Sequence, residues 1–147
     1  MSRHSSMTRE FLMSQDAINA FGALIGRRVP MLKRKPGTGH HVDPAAAKSV
    51  GLRGPVAFSL HYYGHVSHLM AERFGSRWLE GGEMSVAFIK PVCAGDEVIV
   101  KVGERPVQRP EADAGDRLAL QVDVYNQLGE LVAAGSASVA AQTSTRT

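Results

Sequence analysis

The feature that most limits what this chain can fold into is its stretch over residues 56–74. Val56, Ala57, Leu60, Tyr63, Val66, Leu69, Met70 and Phe74 spread over most of a helical circumference, and Gly75 stops the run. A helix apolar nearly all round belongs inside a protein, wrapped by other elements. Its polar residues are confined: His61, His65, His68 and Glu72 stand at i, i+4, i+7 and i+11, an arc of roughly 60°.

The wrapping material follows it. Met84, Val86 and Phe88 alternate up to Pro91, and Val98, Val100 and Val102 alternate after a Gly95-Asp96 turn. Leu118, Leu120, Val122 and Val124 form the cleanest period-2 run. A turn at residues 126–129 leads to a last strand at about 131–140, LVAAGSASVA, whose small side chains predict a bulky neighbour close by. A long buried helix followed by an antiparallel meander predicts an α+β fold with the sheet curled around the helix.

Upstream, Ser14 caps a helix predicted over about 15–25, with Ile18, Phe21 and Ile25 on one face and Gly26 at its end. Residues 27–41 read as a long loop, and Asp43-Pro44 opens a short helix ending by Gly51. Residues 1–13 are polar and aperiodic and read as a mobile arm. The expected organisation is therefore an arm at 1–13, one domain at 14–140 and a flexible tail at 141–147.

The 147 residues suit a single core. The lone Cys93 excludes a disulfide framework and a Cys-rich zinc site. The net charge of +3 is too small to suggest nucleic acid as a partner, and no run reads as a membrane span or a signal core. A soluble cytoplasmic protein is expected, with neither nucleic acid nor membrane among its partners. The charge is unevenly placed, however. Arg27, Arg28, Lys33, Arg34 and Lys35 fall within nine residues. Such a run is either a solvated loop or a grip for an anionic ligand, and Lys90 is a further candidate for that grip.

The order of elements, with the residues at their junctions, resembles the MaoC-like hydratase/dehydratase family of the hot dog fold. The residues that carry the likeness are His41-Val42-Asp43-Pro44 with Ala47 and Gly51, then Gly54-Pro55-Val56-Ala57. Phe88-Ile89-Lys90-Pro91-Val92, Gly95-Asp96 and Gly135-Ser136-Ala137 complete it. The resemblance implies addition or removal of water on an acyl chain held as a thioester of coenzyme A or an acyl carrier protein. Coenzyme A or phosphopantetheine would then come with the substrate, with no tightly bound cofactor and no metal. It also implies an Asp and a His spaced D-x4-H, helped by a backbone N–H at the start of the long helix.

His41 matches the family His, but the Asp position five residues earlier is Pro36. An alternative alignment over residues 26–32 replaces the Asp with Arg27 and the His with Leu32. The family's His-Gly pair after the short helix is here Phe58-Ser59. The candidate catalytic groups are thus His41 as acid/base, the N–H at Ser59 for a developing oxyanion, and His61 or His65 in place of the Asp. The histidine stripe is equally readable as the polar side of a groove or subunit interface, and less well as a metal site. Tyr63 is a candidate for lining the substrate site or for the core. An uncovered sheet edge predicts a homodimer or larger assembly. Three other functions stay open: a non-catalytic acyl-binding partner subunit, a hot dog thioesterase, and a divergent reaction on the same polarised carbonyl. Residues 56–71 hold no Asp or Glu for the thioesterase.

Overall fold

A computed structural model describes residues 6–103 and 117–141. Strand β1 (Met7–Leu12) leads into helix α1 (Gln15–Arg28), a single 3-10 turn (Pro30–Leu32), and helix α2 (Pro44–Ser49). Helix α3 (Ser59–Phe74) and helix α4 (Ser76–Gly81) come next, then strands β2 (Glu83–Phe88), β3 (Glu97–Gly103), β4 (Arg117–Asn126) and β5 (Leu131–Ala140). The five strands form one antiparallel sheet in the order β1-β3-β4-β5-β2. This is the α+β architecture expected.

The alternating valines face one way. Val98, Val100 and Val102 of β3 and Leu120, Val122 and Val124 of β4 are all at most 1% exposed and pack with Tyr62, Val66, Leu69 and Met70 of α3. Burial of such side chains is worth about 1.5–3 kcal/mol each, so this seam dominates the core. The helix is nevertheless not wrapped on every side. Leu60 is 59% exposed, and Gly64 and His68 also face solvent.

The expected mobile arm is corrected. Residues 7–12 are strand β1, paired along β3 from Met7↔Val102 to Leu12↔Glu97. Met7, Arg9 and Phe11 turn inward, and an arginine on the inward face hides the period-2 pattern. Residues 1–5 of that arm, and 142–147 of the expected tail, lie outside the described residues. Helix α1 runs three residues past its expected end, and α4 is unpredicted: the chain turns at Gly75, with φ 54°, and restarts a helix at once. The close neighbour of Gly135 in the last strand is a backbone: a Cβ there would collide with the Ser85 carbonyl oxygen of β2, the strand it pairs with. Among the described residues no helix is long and apolar enough to cross a membrane.

Asp96, 2% exposed, ties the loops at one end of the sheet together. Its carboxylate accepts two bonds from the Arg53 guanidinium at 3.2 and 2.7 Å, one from the Cys93 N–H at 2.9 Å and one from the Gln127 amide at 3.1 Å. Burial alone would raise its pKa, but the donors outweigh burial and hold it below the ordinary 3.8. A depressed carboxylate stabilises the fold above its unfolded pKa, and that contribution disappears as pH falls through the folded value. Asp96→Ala, which leaves the Cys93 N–H unpaired in the interior, should cost about 1–3 kcal/mol in denaturant unfolding. Arg53→Ala, at a largely exposed partner, should cost less than about 1 kcal/mol. Equal losses would show that the carboxylate has no role beyond that one ion pair.

Candidate active site

His41 lies in a turn that Gly39 closes by accepting the Val42 and Asp43 N–H groups at 3.1 and 2.9 Å. Asp43 is the helix cap the sequence suggests, its carboxylate accepting from the Ala45 N–H at 2.9 Å. The His41 ring is fixed from several sides. Its Nδ1 lies 2.6 Å from the Val56 carbonyl oxygen, and its face stacks on Phe58 with centroids 3.8 Å apart. The Gln15 amide of α1 donates to the His41 carbonyl at 2.9 Å.

These contacts set its chemistry. A carbonyl only accepts, so Nδ1 carries the proton and the neutral ring presents a bare Nε2. Burial lowers the His41 pKa. The Val56 bond opposes that, and the nearby His40 and Arg34 add to the lowering. His41 is therefore a neutral proton acceptor at physiological pH.

Helix α3 begins beside it. Phe58 caps the helix with no side-chain acceptor, and His61 N–H bonds back to the Phe58 carbonyl at 2.9 Å. Among the described residues the Ser59 and Leu60 N–H groups at this end have no backbone acceptor and are left for another oxygen. The Ser59 hydroxyl is engaged with the buried Tyr62.

The remaining candidates separate. His61 stacks flat on Phe21 of α1, 4.6 Å away, and Phe21 meets Phe58 at 5.7 Å. Two aromatic rings therefore stand between His41 and His61 in one continuous column. His61 Nδ1 is enclosed with no partner among the described residues, so its proton is better held on Nε2, and burial lowers its pKa. His65 extends the column, 5.5 Å from His61 and stacked at 3.7 Å on Phe11 of β1. Tyr63 turns its hydroxyl to the Met84 carbonyl, and Lys90 is held by Glu130 of the β4–β5 turn. Neither contacts His41. Arg27 and Arg28 end α1, while Lys33, Arg34 and Lys35 follow the 3-10 turn. All five are exposed and form no ion pair among the described residues.

Sequence reasoning did not single out Gln15, Phe21 or Phe58 as parts of this site. One signal was present: Gly22 lies mid-helix, and a Cβ there would come within 3.2 Å of the Phe58 ring. Among the described residues no three His, Cys, Asp or Glu side chains converge as metal ligands.

Residues 40–117, over half of the chain, match the MaoC-like domain. The chain belongs to that family. No curated protein matches the sequence. Among solved structures, an (R)-hydratase from A. caviae involved in PHA biosynthesis superposes on this MaoC-like chain with a TM-score of 0.70. Their identity is 21%, over 97% of this chain and 98% of the other. An R-hydratase from Pseudomonas aeruginosa gives 0.68 at 19% identity, over 97% and 84%. The C-terminally truncated HadBC (3R-hydroxyacyl-ACP dehydratase) complex from Mycobacterium tuberculosis gives 0.61 at 18%, over 92% and 95%. At these identities the likeness establishes the hot dog fold, and the family match places His41 within its domain.

The histidine column makes a pH prediction. Burial, then His61, Arg9 and His68, push His65 down to about 4 from the ordinary 6.5. A depressed histidine favours the folded state only while neutral, so stability should fall as pH drops from 6.5 towards 4. His65→Phe keeps a ring on Phe11 and should flatten that part of a melting-temperature profile. Parallel profiles for the two proteins would mean His65 contributes nothing to it.

Proposed function

We propose that this protein is a hydratase/dehydratase acting on an acyl chain carried as a coenzyme A or acyl-carrier-protein thioester. One observation carries the reading: a histidine whose tautomer leaves Nε2 bare, beside the uncapped N–H groups that start α3. In hydration, His41 Nε2 takes a proton from water as the water oxygen bonds the β-carbon. The alkene electron pair moves to the thioester oxygen, which the Ser59 and Leu60 N–H groups hold as an enolate. The same imidazolium then protonates the α-carbon and returns to its neutral form. One base serves both proton transfers, so the Asp position can be Pro36.

His61 supplies a neutral hydrogen-bond donor through Nε2–H, while His65, stacked on Phe11, supports the column. Arg34, the cation that acts on His41, meets the phosphates of the carrier with Lys35 beside it. Coenzyme A or phosphopantetheine arrives with the substrate. The working unit is a homodimer or larger, formed where β2 ends the sheet of the described residues and Phe88 and Ile89 are 44% and 53% exposed.

Hydration of enoyl thioesters of several chain lengths tests this. His41→Ala should lose at least about 100-fold in turnover while the protein stays folded. Asp43→Ala should lose about 1 kcal/mol of stability and keep its rate. Arg34→Glu should raise KM, more at low salt than at high salt. Full activity in His41→Ala would remove His41 as the base. Pro36 favours a second reading, a non-catalytic acyl-binding partner subunit. A wild-type chain that binds every thioester offered and converts none would establish that reading instead.

A further inference from the structure

No Asp or Glu occurs between Asp16 and Asp43, and the five cations of residues 27–35 fall inside that gap. Nothing in this stretch of chain offsets their charge. They surround exposed apolar side chains: Val29 is 39% exposed, Leu32 51% and Met31 87%. This tip is preformed. Pro30 fixes the backbone, Leu32 N–H bonds to the Val29 carbonyl at 2.8 Å, and Lys33 N–H bonds to the Pro30 carbonyl at 3.0 Å. Lys33 folds back on α1, where a Cβ at Gly26 would lie 3.5 Å from its Cα.

A rigid convex turn with apolar side chains at its crest and cations around it has a specific complement. We infer that this tip docks on an anionic phospholipid bilayer, with Met31 and Leu32 entering the headgroup boundary and Arg27, Arg28 and Lys33 meeting lipid phosphates. A second copy of the chain is a poor occupant of the same face, because it would bring five more positive charges against these. A protein partner would need a socket shaped to the turn, whereas a fluid surface adapts to it. The inference concerns surface attachment alone, replaces the expectation that no membrane is among the partners, and stands apart from the proposed chemistry at His41.

Flotation of the full-length protein with phosphatidylcholine vesicles, with and without phosphatidylserine, tests it. Binding should appear at low salt on the anionic vesicles, be absent from the neutral ones, and fall as salt rises. Each cation removed should weaken partition about fivefold. Arg27→Glu with Arg28→Glu should therefore lose well over tenfold. Met31→Ser with Leu32→Ser should lose about tenfold or more, with melting curves unchanged because these side chains already face solvent. No partition onto anionic vesicles at low salt overturns the inference, as does binding that neither double variant weakens. Sedimentation showing that the Met31/Leu32 variant changes oligomeric state would reassign the tip to self-association. Capture of an acidic carrier protein by the same residues, with vesicles ignored, would reassign it to that partner.

Discussion

Residues 55–57 use their backbone groups in two directions at once, and both the site and the entry to the central helix depend on it. On one side the Pro55 carbonyl accepts from the Ala94 N–H at 2.8 Å, and the Ala57 N–H donates to the Val92 carbonyl at 2.7 Å. On the other, the Val56 N–H donates to the His40 carbonyl at 2.9 Å while the Val56 carbonyl takes the His41 ring. Three extended residues thus stitch the loop of residues 92–94 to the histidine turn just before α3 starts. Asp96 and Arg53 lock the same junction from outside. The carboxylate fixes the Cys93 N–H, and its backbone carbonyl accepts from Met13 at 2.9 Å where β1 gives way to α1.

Most of the architecture was legible because its elements have a strong period. The valines of β3, the Leu/Val run of β4 and the apolar girth of α3 each point to one structure. Strand β1 was not legible because Arg9 stands on its inward face, where it reaches Glu72 of α3 at 3.7 Å. Helix α4 was hidden by Gly75, which ends one helix and serves as the start of another. Within the site, His41 and Ser59 were readable from local motifs. The ring column was not, since Phe11, Phe21, Phe58 and the three histidines come from β1, α1, α3 and the loops on either side of α2. Only folding places them face against face.

That column gives the site its electrostatic character. It joins β1 to the histidine turn through aromatic and imidazole faces alone, with no carboxylate among them. Burial without a negative partner favours uncharged rings, which is why His41, His61 and His65 are all lowered together. The nearest acid to the histidine stripe is Glu72, and it is engaged with His68 at 2.9 Å and with Arg9. The five cations of residues 27–35 stand exposed around the turn beyond α1, and of these Arg34 adds to the lowering at His41.

The group that fixes the His41 tautomer is a main-chain carbonyl, and this changes how the site responds to sequence drift. A side-chain carboxylate in that role is lost in one codon change. The Val56 oxygen is supplied by whatever residue occupies position 56, so substitutions there leave the acceptor in place as long as the extended segment keeps its pairing. The protonation pattern of the ring is therefore inherited with the fold itself, and the identity of its partner is invisible to any comparison of side chains.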